Sequence, residues 1–299
     1  MTGVRERRHA PEGASSSDLA AAASHLALEA ARIHPTMVDV LISASASHDL
    51  AEPATANRVQ QLTGATNARV FDLKNACNSF LDALDVGASM VRSGTASTVL
   101  VATGEVISRC ARLDCEDGAV IDLIPGLTLG DAGAAALISD DSLHALARVC
   151  EGSFLSAGEN WNASMIYGGG NLPLPGSEVA YFQSDGRRMF ELAMEMLPKV
   201  IQSALDRMGW NVDDLDLVVP HQASVAIVRE LCKTMLFSFD RCALTAPFLG
   251  NTAAACIPTT LSIAIDEGKL VDARKVLLVG GAAGFSAAAL PLEFIGQPT

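Results

Sequence analysis

The sequence lies on itself. Shifted by 177 positions, residues 38–42 (VDVLI) fall on residues 215–219 (LDLVV), and Ala46-Ser47 fall on Ala223-Ser224. The same shift lays Thr98-Val99-Leu100-Val101 on Lys275-Val276-Leu277-Leu278 and Gly104 on Gly281. One apolar run matches another by chance easily. A constant offset held over about 66 positions is the mark of a duplication. Each copy places a stretch of helical pattern between its two apolar strands, residues 75–93 in the first and 252–267 in the second. In the first, Phe80, Leu84 and Val91 fall near one helical face and Gly94 ends the run. Strands that alternate with helices pair in parallel through right-handed crossovers. Two such halves facing each other bring equivalent strand ends together, which is where open parallel sheets place ligands.

These constraints predict an α/β protein of two duplicated halves. The first covers residues 1–139, a connecting segment 140–180, and the second half 181–299. Gly168-Gly169-Gly170 and Pro173-Leu174-Pro175 mark the connection as irregular, and no Lys-Ser or Lys-Thr follows the glycines to make a phosphate loop. With 49% hydrophobic and 18% charged residues the chain has ample material for a core. Its net charge of -13, without a basic run, argues against nucleic acid or an anionic membrane surface as partner. Seven cysteines form no CxxC pair and are odd in number, which favours reduced thiols in the cytoplasm over a disulfide framework or a metal site. The first eighteen residues carry Arg5, Arg7 and Arg8 with no apolar run behind them, so they do not read as a secretory signal. No stretch reads as a membrane span.

The strand exits carry the reactive groups. Cys77 follows the Val70-Phe71-Asp72-Leu73 strand and opens the Asn75-Ala76-Cys77-Asn78 helix, where free N–H groups and the helix dipole favour a thiolate. A buried, inert core cysteine is the alternative at this position. His221 directly follows the 215–219 strand, and Asn251 stands three residues before the counterpart of Cys77. Taken singly, the first is a structural histidine and the second a helix cap. Taken together they are a thiol with imidazole and amide partners at facing strand ends, a nucleophilic set.

On these residues the sequence resembles the ketoacyl-ACP synthase III branch of the thiolase-like condensing enzymes. The resemblance runs nearly end to end, through Thr2-Gly3-Val4-Arg5, the Cys77 helix, Gly130-Asp131-Ala132-Gly133, Asp185-Gly186-Arg187, Pro220-His221-Gln222-Ala223, Gly250-Asn251-Thr252 and Gly280-Gly281. It implies a thiolase-like fold in α-β-α-β-α layers. Cys77 would carry an acyl group, and His221 and Asn251 would hold the carbonyl oxygen of a second thioester as it becomes an enolate. The backbone N–H groups of Cys77 and Gly281 would form an oxyanion hole. It also implies a homodimer that uses acyl-CoA, or an acyl carrier protein, as substrate and needs no cofactor or metal.

Three departures qualify the resemblance. Family members carry a further segment before the Thr-Gly-Val motif, including a first strand, and its loss predicts an opened sheet. Ser224 and Ala226 replace an Asn and an Arg common in the fatty-acid pathway. Docking of a carrier protein would then fall to Arg187, Arg188, Arg229 or Lys233. Glu52 stands where the acyl pocket is usually apolar. There it is similar to the glutamate of olefin-pathway and pyrone-forming relatives, which reaches across the dimer as base. Such a base would allow condensation without decarboxylation. Acyl transfer to an alcohol or amine, and a silent scaffold subunit, complete the alternatives.

Overall fold

A computed structural model describes residues 2–111, 124, 126–141, 145–166 and 181–295. Cys115, the 168–170 glycines and the 173–175 Pro-Leu-Pro run lie outside the described residues. The first half places strands β1 (Val40–Ala44), β2 (Arg69–Leu73), β3 (Thr98–Glu105) and β4 (Ala132–Ser139) in the order β2-β1-β3-β4. β1 is parallel to β2 and β3, and β4 closes antiparallel on β3. Helices α1 (Ser16–Ala31), α2 (Thr55–Thr63) and α3 (Ser79–Arg92) belong to this half.

Short strands β5 (Ala147–Val149), β6 (Ser153–Ser156), β7 (Ser164–Ile166) and β8 (Phe182–Ser184) lead into the second half. There, helices α4 (Gly186–Met208), α5 (Val225–Thr234) and α6 (Cys256–Asp266) accompany β9 (Leu217–Pro220), β10 (Lys275–Ala282) and β11 (Ser286–Phe294). The second sheet runs β5-β11-β10-β9, with β6 also paired to β11. β7 and β8 form a separate two-stranded ribbon.

The 177-residue shift maps the elements onto one another: Val40 opens β1 and Leu217 opens β9, while Thr98 to Glu105 map onto Lys275 to Ala282. Both sheets are buried on both faces, so their strands alternate between two cores rather than between core and water. Ile42, Val99 and Val101 point inward, with Leu278 and Leu290 from the other sheet, onto α3 and α6 in the central layer. Leu41 and Leu100 point outward under α1 and α2, and Val218 and Leu277 under α4 and α5. The layers are therefore α-β-α-β-α.

The small residues in β3 and β4 let α1 lie almost on the backbone. A Cβ on Gly104 would stand 1.9 Å from the Ser16 carbonyl oxygen, and one on Gly133 would stand 2.4 Å from that of Leu19. Asp39 and Asp216 are also equivalent. Each accepts two backbone N–H bonds at the start of the neighbouring strand, from Ser97 and Thr98 in one half and from Arg274 and Lys275 in the other.

The halves differ at two places. Thr98 pairs with Ser139 but its counterpart Lys275 pairs with Glu293, so the first half inserts 23 residues between its last two strands. In the second half β5 and β6 lie outside β11, and among the described residues nothing equivalent lies outside β4, while β1 and β3 are paired on both sides.

Candidate active site

Cys77, His221 and Ala283 stand beyond β2, β9 and β10, and Asn251 stands before the turn Ala253–Ala255. Beyond β2 the chain enters a 3-10 turn, Ala76–Asn78, before α3 begins at Ser79. Ala76 has φ +47, and its counterpart Ala253, opening the turn Ala253–Ala255, has the same value. This left-handed step is a duplicated feature of the backbone, unusual for alanine. The two turns pack against each other, with Cys77 and Ala253 in one apolar cluster with Ile107 and Leu129. Asn78 ties the Cys77 turn to the second sheet, since its Nδ2 donates to the Ser286 carbonyl and hydroxyl oxygens at 3.1 and 3.0 Å. Gly280 makes room for it, because a Cβ there would stand 2.0 Å from Asn78 Oδ1.

Cys77 keeps partial exposure, yet its surroundings desolvate the sulfur strongly. Burial pushes the thiol well above its ordinary range, and the nearby Glu105 and Cys256 add to the effect. The backbone N–H groups of Cys77 and Ala283 act in the other direction and are outweighed. The expectation of a thiolate at the helix start is therefore corrected: the resting group is a thiol. A charge taken out of water here loses more than two N–H dipoles return.

The expected role of Gly281 is corrected too. Gly281 pairs with Ala287 in the β10–β11 ladder, and a Cβ on it would meet Phe285 and Leu197, the latter on the outer helix α4. It faces away from the thiol. The N–H that reaches the sulfur alongside that of Cys77 belongs to Ala283, the first residue beyond β10.

His221 follows β9, its N–H bonded to the Val279 carbonyl at 2.7 Å. Its Nδ1 is buried without a partner, and burial lowers the imidazole to about 4. The ring is neutral at pH 7. Among the described residues no carboxylate is paired with it, unlike the histidine of a Ser-His-Asp triad. Asn251 is buried, and its backbone is held on both sides, donating to the Thr128 carbonyl at 2.8 Å and accepting from Gly130 N–H at 2.9 Å. Its Oδ1 accepts from Ala253 N–H at 3.0 Å. This is the cap-like bond expected of a lone asparagine, and it fixes the orientation of the amide, whose Nδ2 is a donor.

Glu52 is exposed, on the loop before α2. The four cationic candidates lie on α4 and α5. Arg187 and Lys233 form exposed ion pairs with Glu191 and Glu230, at 3.0 and 2.9 Å. Arg188 donates from Nε and Nη2 to Asn160 Oδ1, and Arg229 stacks 4.0 Å from the Phe239 ring centre. Among the described residues no group of acidic, histidine and cysteine side chains is placed to hold a metal, and no helix is long and apolar enough to cross a membrane.

Two site residues escape the sequence reading. Ala283 does because a backbone donor carries no side-chain signal. Glu105 left a signal, being the single charge in the apolar run 98–105. It is fully buried.

The arrangement has close relatives. Residues 71–154 match the 3-oxoacyl-[acyl-carrier-protein (ACP)] synthase III family, and residues 205–294 match the family of its C-terminal part. Beta-ketoacyl-[acyl-carrier-protein] synthase III of Neisseria meningitidis is 32% identical over 98% of this chain and 88% of its own. The chain belongs to the beta-ketoacyl-ACP synthase III family. Solved members share the fold. OleA of Xanthomonas campestris superposes with a TM-score of 0.89 at 25% identity, covering 98% of this chain and 86% of its own. A cysteine-to-serine variant of it with bound lauric acid and lauroyl-CoA gives 0.88 at 25% identity, covering 98% and 87%. The synthase III of Aquifex aeolicus gives 0.86 at 27% identity, covering 98% and 89%. The protein is thus a thiolase-like condensing enzyme that catalyses a Claisen condensation.

Proposed function

We propose that Cys77 carries the acyl group and that His221 and Asn251 stabilise the enolate that attacks it. The Cys77 thiol exchanges with an acyl thioester: a new S–acyl bond forms, the old one breaks, and the thiol proton leaves with the departing thiol. A malonyl thioester then binds with its carbonyl oxygen between His221 and Asn251. Loss of carbon dioxide leaves an enolate, whose carbon attacks the acyl-Cys77 carbonyl. The N–H groups of Cys77 and Ala283 face the oxyanion that develops there. Its collapse yields a 3-oxoacyl thioester and, with one proton taken up, the free thiol.

The observation that carries this reading is the pair of neutral donors. An imidazole held at about 4 by burial supplies a hydrogen bond rather than a positive charge, and the Asn251 amide, oriented by its bond to Ala253 N–H, adds a neutral N–H₂ donor. Two fixed neutral donors suit an oxygen that gains charge only in the transition state. The test is a two-stage assay with labelled acyl-CoA and malonyl thioester. His221→Ala and Asn251→Ala should still accept the acyl group while condensation falls by about 10²- to 10³-fold each, as for loss of an oxyanion donor. Loss of acylation with intact turnover of pre-acylated enzyme would refute the assignment.

A second reading rests on Glu52. Because it is exposed, on the loop before α2, it would serve as base through a homodimer in which a second copy brings it to the site. The likeness to OleA supports this use, with direct deprotonation of an acyl thioester in place of decarboxylation. Acyl-CoA is the favoured first donor on the likeness to the lauroyl-CoA complex. Docking of a carrier protein falls to Arg187 and Lys233, whose exposed pairs are readily exchanged. Thioesters enter as substrates and no resident cofactor is needed. Free thiols at all six described cysteines fit a cytoplasmic setting.

A further inference from the structure

Glu105, at the end of β3, is fully buried and bridges the two halves below Cys77. Its Oε1 accepts from Ala46 N–H at 2.7 Å and from Ala254 N–H at 3.3 Å. Its Oε2 accepts from Ser47 N–H at 3.0 Å and from the Ser47 hydroxyl. Ala46 and Ser47 form the exit of β1, whereas Ala254 is the counterpart of Cys77 in the second half and stands three residues beyond Asn251. The backbone on that side is fixed again by the Asn251 Oδ1 bond to Ala253 N–H. One carboxylate therefore fastens the turn that presents Asn251 to the half that presents Cys77.

The duplication serves as an internal control. Asp39 recurs as Asp216 with the same two bonds, so those carboxylates belong to the fold. Glu105 does not recur. Its counterpart is Ala282, and the counterpart of Ser47, Ser224, caps α5 by accepting from Ile227 N–H at 3.2 Å. The second half makes the same strand exit without a buried charge, and a buried charge is costly to keep. What distinguishes the first half at this point is that its strand end, on β3, packs on the Ala253–Ala255 turn that follows Asn251, whereas the end of β10 packs on the Ala76–Asn78 turn.

We propose that Glu105 is a positioning residue for the condensation, its carboxylate tying the β1 exit to the 251–254 turn so that the Asn251 amide is held in register with Cys77. This rests on the assignment of Cys77 and Asn251 above. The carboxylate also acts through space on the thiol. Burial raises Glu105 to about 7, against the pull of its four donors. The titratable groups near it are Cys77, Cys110 beyond β3, and, on the far side of Cys110, Asp131. When ionised, Glu105 disfavours a Cys77 thiolate.

The test uses Glu105→Gln and Glu105→Asp in the full chain, with circular dichroism to confirm folding. Gln presents an amide N–H₂ to groups that are themselves donors and removes the charge. Asp keeps the charge but is one methylene short of Ala254. Both should lower kcat for condensation by about 10- to 100-fold with KM for the acyl thioester within about threefold, as expected of misplacement near 1 Å. Alkylation of Cys77 by iodoacetamide across pH separates the two effects. Its midpoint should move to lower pH in the Gln variant and stay in place in the Asp variant. Folded variants that both keep kcat within twofold would overturn the proposal, as would loss of the folded state in both, which would assign the carboxylate to the fold. Acylation of Cys77 in the unaltered enzyme, read by mass, is independent of these results and reports separately on the underlying assignment.

Discussion

At the scale of single residues, the site is set by what burial does to its titratable groups. The Cys77 thiol is raised because a thiolate there loses hydration that two backbone N–H groups do not replace. Iodoacetamide should therefore alkylate it slowly at pH 7, with the rate still climbing above pH 9. Rapid labelling at neutral pH would show an activated thiolate instead. His221 is shifted down, so between about 4 and its ordinary 6.5 the unfolded chain binds the proton that the folded chain refuses. The stability contributed by the neutral ring is complete above pH 6.5 and is lost as pH falls toward 4. His221→Asn should flatten that part of the stability profile, read as urea midpoints at pH 4.5 and 7. His221 and Asn251 stood out in the sequence because strand exits and the repeat mark their positions. The charge states were not legible, since desolvation depends on neighbours such as Glu105 and Cys256 that arrive from elsewhere in the chain.

At the scale of elements, the two glycines at the end of β10 separate packing from catalysis. Gly280→Ala forces a methyl into Asn78 Oδ1 and should cost about 1–3 kcal/mol as an overpacked core substitution. A melting temperature lower by about 2–5 °C follows, together with slower acylation, because Asn78 anchors the Cys77 turn. Gly281→Ala meets only ordinary contacts at 3.7 and 3.8 Å and should melt within about 2 °C of the parent with activity retained. Loss of activity in Gly281→Ala alone would restore the sequence expectation that this glycine serves the site. The repeat made the strands readable because apolar runs at constant offset survive divergence. It did not reveal the 23-residue insertion between β3 and β4, which shifts the register only after the last matched strand.

At the scale of the whole molecule, two sheets and a shared helical layer bring the Cys77 and Ala253 turns of opposite halves together, and the proposed use of Glu52 as base requires a second copy. Glu52→Gln should leave malonyl-dependent condensation within about twofold, as for an exposed substitution, while abolishing condensation of two acyl thioesters without malonate. Light scattering should give a dimer for both proteins. Unchanged products from both donor classes would remove Glu52 from the chemistry. The fold class was legible from alternation and duplication, and the reaction from the order of the motifs. Partner-dependent features were not, because no residue in one chain records what a second copy brings.

The account turns on Cys77 as the acyl carrier. Intact mass after incubation with a panel of acyl-CoA thioesters, followed by peptide mapping, tests this most directly. The prediction is one acyl group per chain, on the peptide holding Cys77, released by malonyl thioester and absent in Cys77→Ala. An adduct on another cysteine, or none across the panel, would contradict it.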